Sequence, residues 1–184
     1  MERRRNSKNN AAAITFCGMM AALGVVLMLF GAVLAVLTYA APLLASVCLI
    51  PVLIEFGKTR AWLCYIASAV LCVLLCPDKE LAFFYVFMGF YPIIRPYFMR
   101  ITAKPARILL KLLFFIAMTG LLYLFLCFVL RLDAVMDELG EMGALMNAVF
   151  FAAMIACLLI YDIALSSAQT IYIRRIRPKL SFLK

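Results

Sequence analysis

The sequence predicts an all-α fold: a polytopic integral membrane protein built as a compact bundle of six transmembrane helices, with both termini cytoplasmic. Three observations predict it. Apolar residues make up 68% of the 184-residue chain, against roughly 45–50% in an ordinary globular domain, and a soluble fold of this size could not hide them. The 18 basic and 9 acidic residues gather between long apolar runs, as they do when lipid is the main solvent. The basic residues also alternate from one connection to the next, rich then poor, in the order the positive-inside rule demands. At about 20 residues per span, six spans leave room only for short loops and tails, so no separate soluble domain fits.

Each element follows in chain order. Residues 1–10, with Arg3, Arg4, Arg5 and Lys8, form a basic tail. The apolar run after it, about 11–37, is far longer than the 7–15 residue core of a secretory signal and reads as an uncleaved first span. A turn at Tyr39-Ala-Ala-Pro42 leads to a second run at 43–56, interrupted by Pro51 and closed by Glu55-Phe-Gly-Lys-Thr-Arg60. The third run, 61–76, stops at Pro77-Asp78-Lys79-Glu80, and the fourth, 81–94, ends in Tyr91-Pro92-Ile-Ile-Arg95-Pro96. A basic loop bearing Arg95, Arg100, Lys104, Arg107 and Lys111 precedes the fifth span at 108–130. After an acidic loop, the last helix covers 144–170 and runs on toward Ile173, long enough that its final turns leave the bilayer. The tail 174–184 is basic again, and residues 11–173 form one transmembrane domain.

With six spans and a cytoplasmic N-terminus, 16 of the 18 basic residues fall inside and only Lys79 and Arg131 outside. The second and fourth runs are short for full crossings, which leaves an alternative of four spans with two re-entrant hairpins.

Several function classes drop out. The chain has no histidine, which removes histidine-ligated haem, imidazole metal sites and histidine acid-base chemistry. The seven cysteines lie in or at the end of apolar runs without zinc-ligand spacing and read as small apolar residues. No metal or other cofactor is implied. The net charge of +9 is explained by membrane orientation, so no nucleic-acid partner is inferred.

In lipid, helices associate where small residues let their backbones approach. The first span carries two such stripes: Ala11, Thr15, Gly18 and Ala22, with Ala21 beside them, and on another face Gly24, Gly31 and Ala35. The last span carries Ala144, Ala148, Ala152 and Ala156. Each stripe serves either packing within the bundle or a partner protein. The fifth span is bulky on every side and suits the lipid perimeter.

Polar groups at membrane depth are costly and so informative. Glu55 lies three residues before Lys58, within reach of an interfacial ion pair. Asp162 falls near the inner headgroups, where it can pair with Arg95 or Lys111. Toward the outer side, Asn147, Tyr39 and Tyr85, together with Asp78, Lys79 and Glu80, are candidates to line a pocket for a small polar molecule, and of these Asn147 and Tyr85 are expected to touch it.

The first span, Ala12-Ala-Ile-Thr-Phe-Cys-Gly-Met-Met-Ala-Ala-Leu-Gly-Val-Val-Leu27, resembles the opening helix of the substrate-binding S component of energy-coupling factor (ECF) vitamin transporters. Chain size, six runs and the short second and fourth runs agree with that family. Its AxxxA alanines face a transmembrane coupling subunit; here Gly18 and Ala22 stand at the matching spacing, with Ala21 alongside. The resemblance implies a cell-membrane protein that captures a micronutrient from outside and tilts to release it inward, driven by partner ATPases through the coupling subunit. The chain itself has no GxxxxGK[ST] loop. The alternative is a non-transporting scaffold of cell-envelope machinery. A membrane enzyme needs clustered acids, a serine–lysine or histidine arrangement or a metal site, and Glu55 and Asp162 match no such motif, so no enzymatic activity is inferred.

Overall fold

In a computed structural model the structure describes residues 2–34, 40–125 and 144–179, without the side chains of 2–10, 104, 144–148, 150 and 179. These residues form helices and, among them, no strand. The helices are α1 (Glu2–Val33), α2 (Ala40–Val47), α3 (Leu49–Leu75), α4 (Lys79–Met88), α5 (Tyr91–Phe98), α6 (Lys104–Phe125) and α7 (Ala144–Ile171), the last followed by a π turn (Tyr172–Ile176) and a 3-10 turn (Arg177–Lys179). Among the described residues, five helical stretches are long and apolar enough to cross a membrane: Ala11–Val33, Leu49–Leu75, Lys79–Phe98, Pro105–Phe125 and Phe151–Ile176. Residues 2–10, expected as a tail, continue α1 as helix.

The two short runs differ from single straight helices, and proline explains both. Pro51 has no N–H for the carbonyl of Val47, and its ring collides with that carbonyl; α2 ends at Val47 and α3 begins at Leu49. Pro92 acts in the same way on Met88, where α4 ends. Pro42 and Pro105 fall in the first turns of α2 and α6, where the missing donor has no cost.

The expected boundary between the second and third runs lies inside α3. Gly57, at φ 81 and ψ −178, occupies a backbone region essentially reserved for glycine and divides α3 into two arms, 49–56 and 58–75. Phe56 in the first arm packs its ring 5.6 Å from that of Phe16. Cys64 in the second donates to the carbonyl of Cys17 at 3.4 Å. Eight residues of unbroken helix would separate those levels by about 12 Å; the break at Gly57 lets both arms reach neighbouring residues of α1.

The chain divides into two units, 1–95 with 165–184, and 96–164. In the first, α1 to α4 close around a core that includes Phe16, Met28, Leu49, Val52, Cys72, Leu81 and Tyr85. Gly24 lets α1 approach α2: a Cβ placed there would lie 3.6 Å from the carbonyl oxygen of Ala45. Gly89 serves a tighter approach, since an added Cβ would come within 2.5 Å of the Tyr85 carbonyl oxygen. In the second unit, α6 and the N-terminal part of α7 run antiparallel, as two contacts show: Tyr123 packs on Phe151 at 5.1 Å and Lys111 meets Asp162 at 2.5 Å. The buried side of α6 carries Lys111, Phe115, Thr119 and Leu122, whereas Leu109, Leu113, Ile116 and Leu124 are exposed; the bulky fifth span is therefore two-faced.

Candidate functional site

The two stripes of α1 have different fates. Gly24 and Gly31 are buried, Gly24 against α2, so these two serve internal packing, and Ala35, the third residue of that stripe, lies outside the described residues. Ala11, Thr15, Gly18 and Ala22 are all exposed, and a Cβ added at Gly18 meets nothing within 4 Å. The Thr15 hydroxyl donates to the Ala11 carbonyl at 3.0 Å, which makes the face smooth and leaves its hydroxyl proton satisfied. Ala21, expected beside Gly18 and Ala22, instead turns inward into the core.

Beside this face runs a groove of about 340 Å³ between α1 and the second arm of α3. Cys17, Gly18 and Ala21 contribute from α1, and Arg60, Leu63 and Ala67 from α3. Arg60, Leu63 and Ala67 share one helical face at i, i+3 and i+7.

The expected pocket residues are differently placed. Tyr85 is 1% exposed, with its hydroxyl 2.9 Å from that of Ser68. Around it Tyr65 donates to the carbonyl of Val86 and Trp62 stacks on Phe90 at 5.9 Å. Asp78 caps α4, accepting from the amides of Glu80 at 3.0 Å and Leu81 at 3.3 Å. Glu80 stands in the first turn of α4, where an acid complements the helix dipole. Lys79 donates to the carbonyls of Val73 at 2.9 Å and Cys76 at 3.1 Å, tying off the end of α3. Tyr39 and the side chain of Asn147 lie outside the described residues.

The charged groups at depth have definite partners. Asp162 pairs with Lys111, one of the two bases expected for it, and both are buried at 9% and 7% exposure. Arg95, the other, donates to Gln169 at 2.9 Å and to Ser166. Glu55 forms its ion pair with Arg177 at 3.1 Å, across 122 residues of sequence, where local spacing had pointed to Lys58. Sequence reasoning missed Ser68, Ser166, Gln169 and Arg177; the spacing of Ser166 and Gln169 on one side of the last helix was the available signal.

No protein-family model matches the chain, and no curated protein or solved structure is detectably similar to it.

Proposed function

We propose that the protein is the membrane-embedded substrate-capture subunit of a micronutrient uptake transporter of the ECF type, which docks on a coupling membrane subunit through the exposed small-residue face of α1. The observation that carries this reading is the division of labour on α1: Gly24 packs against α2 and Gly31 is buried, whereas the stripe at Ala11, Thr15, Gly18 and Ala22 is exposed. In lipid such a surface attracts another helix by close backbone approach.

The proposed threading is six crossings of the cell membrane with both termini cytoplasmic. The alternation of basic segments supports it. So does Gly57: were Leu49–Leu75 a single crossing, Glu55, Lys58 and Arg60 would fall within about 11 Å of its middle, where a charge costs about 3 kcal/mol on insertion scales. A reversal at Gly57 returns all three to the cytoplasmic boundary.

Affinity purification in mild detergent tests the docking. The wild-type chain is expected to bring down a coupling subunit and ATPases, and the double variant Gly18→Leu, Ala22→Leu to lose them while remaining folded. Undiminished recovery in the double variant contradicts the proposed face.

A second reading, a scaffold that assembles envelope proteins through the same face, is favoured by one observation: Tyr85, Asp78 and Lys79 are already committed to internal hydrogen bonds. Thermal unfolding against a vitamin panel separates the two, because a capture subunit gains stability from its ligand and a scaffold does not.

A further inference from the structure

The π turn after α7 sorts three arginines into two sets. Its closing hydrogen bond runs from the Arg177 amide to the Tyr172 carbonyl, five residues back. Five residues of α-helix would carry Arg177 about 140° around the axis from Tyr172; the wider π turn brings the two toward one side. Tyr172 is buried there at 4% exposure, and Arg177 forms its ion pair with Glu55 at 3.1 Å. Arg174 and Arg175 are left outside. Both are exposed, flanked by Ile173 at 47% and Ile176 at 45% exposure. The apolar stretch they close, Phe151–Ile176, has 26 residues, and a helix of that length reaches about 39 Å against a hydrocarbon core of about 30 Å. Its charged end is the one that emerges, because a guanidinium within hydrocarbon is costly.

Two exposed cations interleaved with exposed isoleucines at headgroup level complement a surface that is anionic above and hydrocarbon below. We infer that the π turn binds anionic phospholipid, with headgroup phosphates on Arg174 and Arg175 and the isoleucines against the upper acyl chains. Guanidinium matches phosphate in geometry and charge. A free phosphate ion gains nothing from the isoleucines, and an acidic protein surface would hold them against charge. The inference rests on the chain lying in a membrane and is independent of its being a capture subunit. Arg174 and Arg175 share no residue with the docking face on α1, so substitutions there probe the lipid separately.

The test is photocrosslinking of the full-length protein, carrying p-benzoylphenylalanine in place of Ile173, in vesicles of equal parts phosphatidylglycerol and phosphatidylcholine, with the adducts weighed by mass spectrometry. Phosphatidylglycerol adducts are expected to predominate. Arg174→Gln and Arg175→Gln should each lower the phosphatidylglycerol-to-phosphatidylcholine ratio about five-fold, and together about 25-fold, the factor basic residues contribute near an anionic surface. Arg100→Gln, at an exposed position elsewhere, should leave the ratio unchanged, and inorganic phosphate should lower it no more than sodium chloride of the same ionic strength. Equal adducts of the two lipids, an unchanged ratio in the folded double variant, an equal fall in Arg100→Gln, or specific competition by phosphate overturns the inference. So does a protein adduct, in place of lipid, when the same probe is irradiated in native membranes.

Discussion

Asp78 and Lys79 are neighbours in the turn between α3 and α4, yet each acts on a different helix. The carboxylate caps the start of α4 and the ammonium caps the end of α3, so the turn is fixed by two adjacent side chains. Asp78→Ala should lower stability by about 1 kcal/mol, the usual worth of an N-cap, measured by denaturant unfolding in mild detergent; an unchanged midpoint would show the cap to be idle. The Lys111–Asp162 pair makes a larger claim. Removing one partner strands a buried charge, at a cost of about 3–5 kcal/mol, whereas replacing both with apolar residues avoids that penalty. Lys111→Met and Asp162→Leu should each destabilise the protein more than the double variant does. Additive losses would mean that the charges are not coupled. Asp162 was visible in the sequence as an outlier at membrane depth, but its partner was not. Helical rise gives depth along a span, and the choice between Arg95 and Lys111 depends on azimuth, which only packing determines.

Breaks between helices are written locally, and that is why they were the most legible part of the fold. Pro51 and Pro92 each stop a helix four residues upstream, at Val47 and Met88, and so divide the second and fourth runs internally. The Glu55–Arg60 segment marked the next boundary, and Gly57 breaks the helix there by adopting φ 81. An alanine there is strained by about 1–3 kcal/mol; Gly57→Ala should lower the thermal midpoint, while alanine at the exposed neighbour Thr59 should leave it nearly unchanged. The small-residue stripes were legible as stripes, since a period of 3.6 assigns residues to faces. Which stripe would meet α2 was not, because periodicity says nothing about the neighbour on each side. The candidate pocket was least legible. Tyr85 and Lys79 were chosen for depth and polarity, and both are engaged by groups that only tertiary packing brings near, Ser68 for one and the end of α3 for the other.

For the whole molecule, the decisive question is whether α3 crosses the bilayer once or turns back at Gly57. A single crossing leaves three charges close to the hydrocarbon centre; a reversal would place them with the basic segments proposed to be cytoplasmic and make the number of crossings even. Reporter fusions at Met1 and Lys184, read for cytoplasmic fluorescence and for periplasmic or extracytoplasmic enzyme activity, decide between them. Both fusions reporting the cytoplasmic side is the result expected here, and a Lys184 fusion on the side opposite Met1 would contradict it.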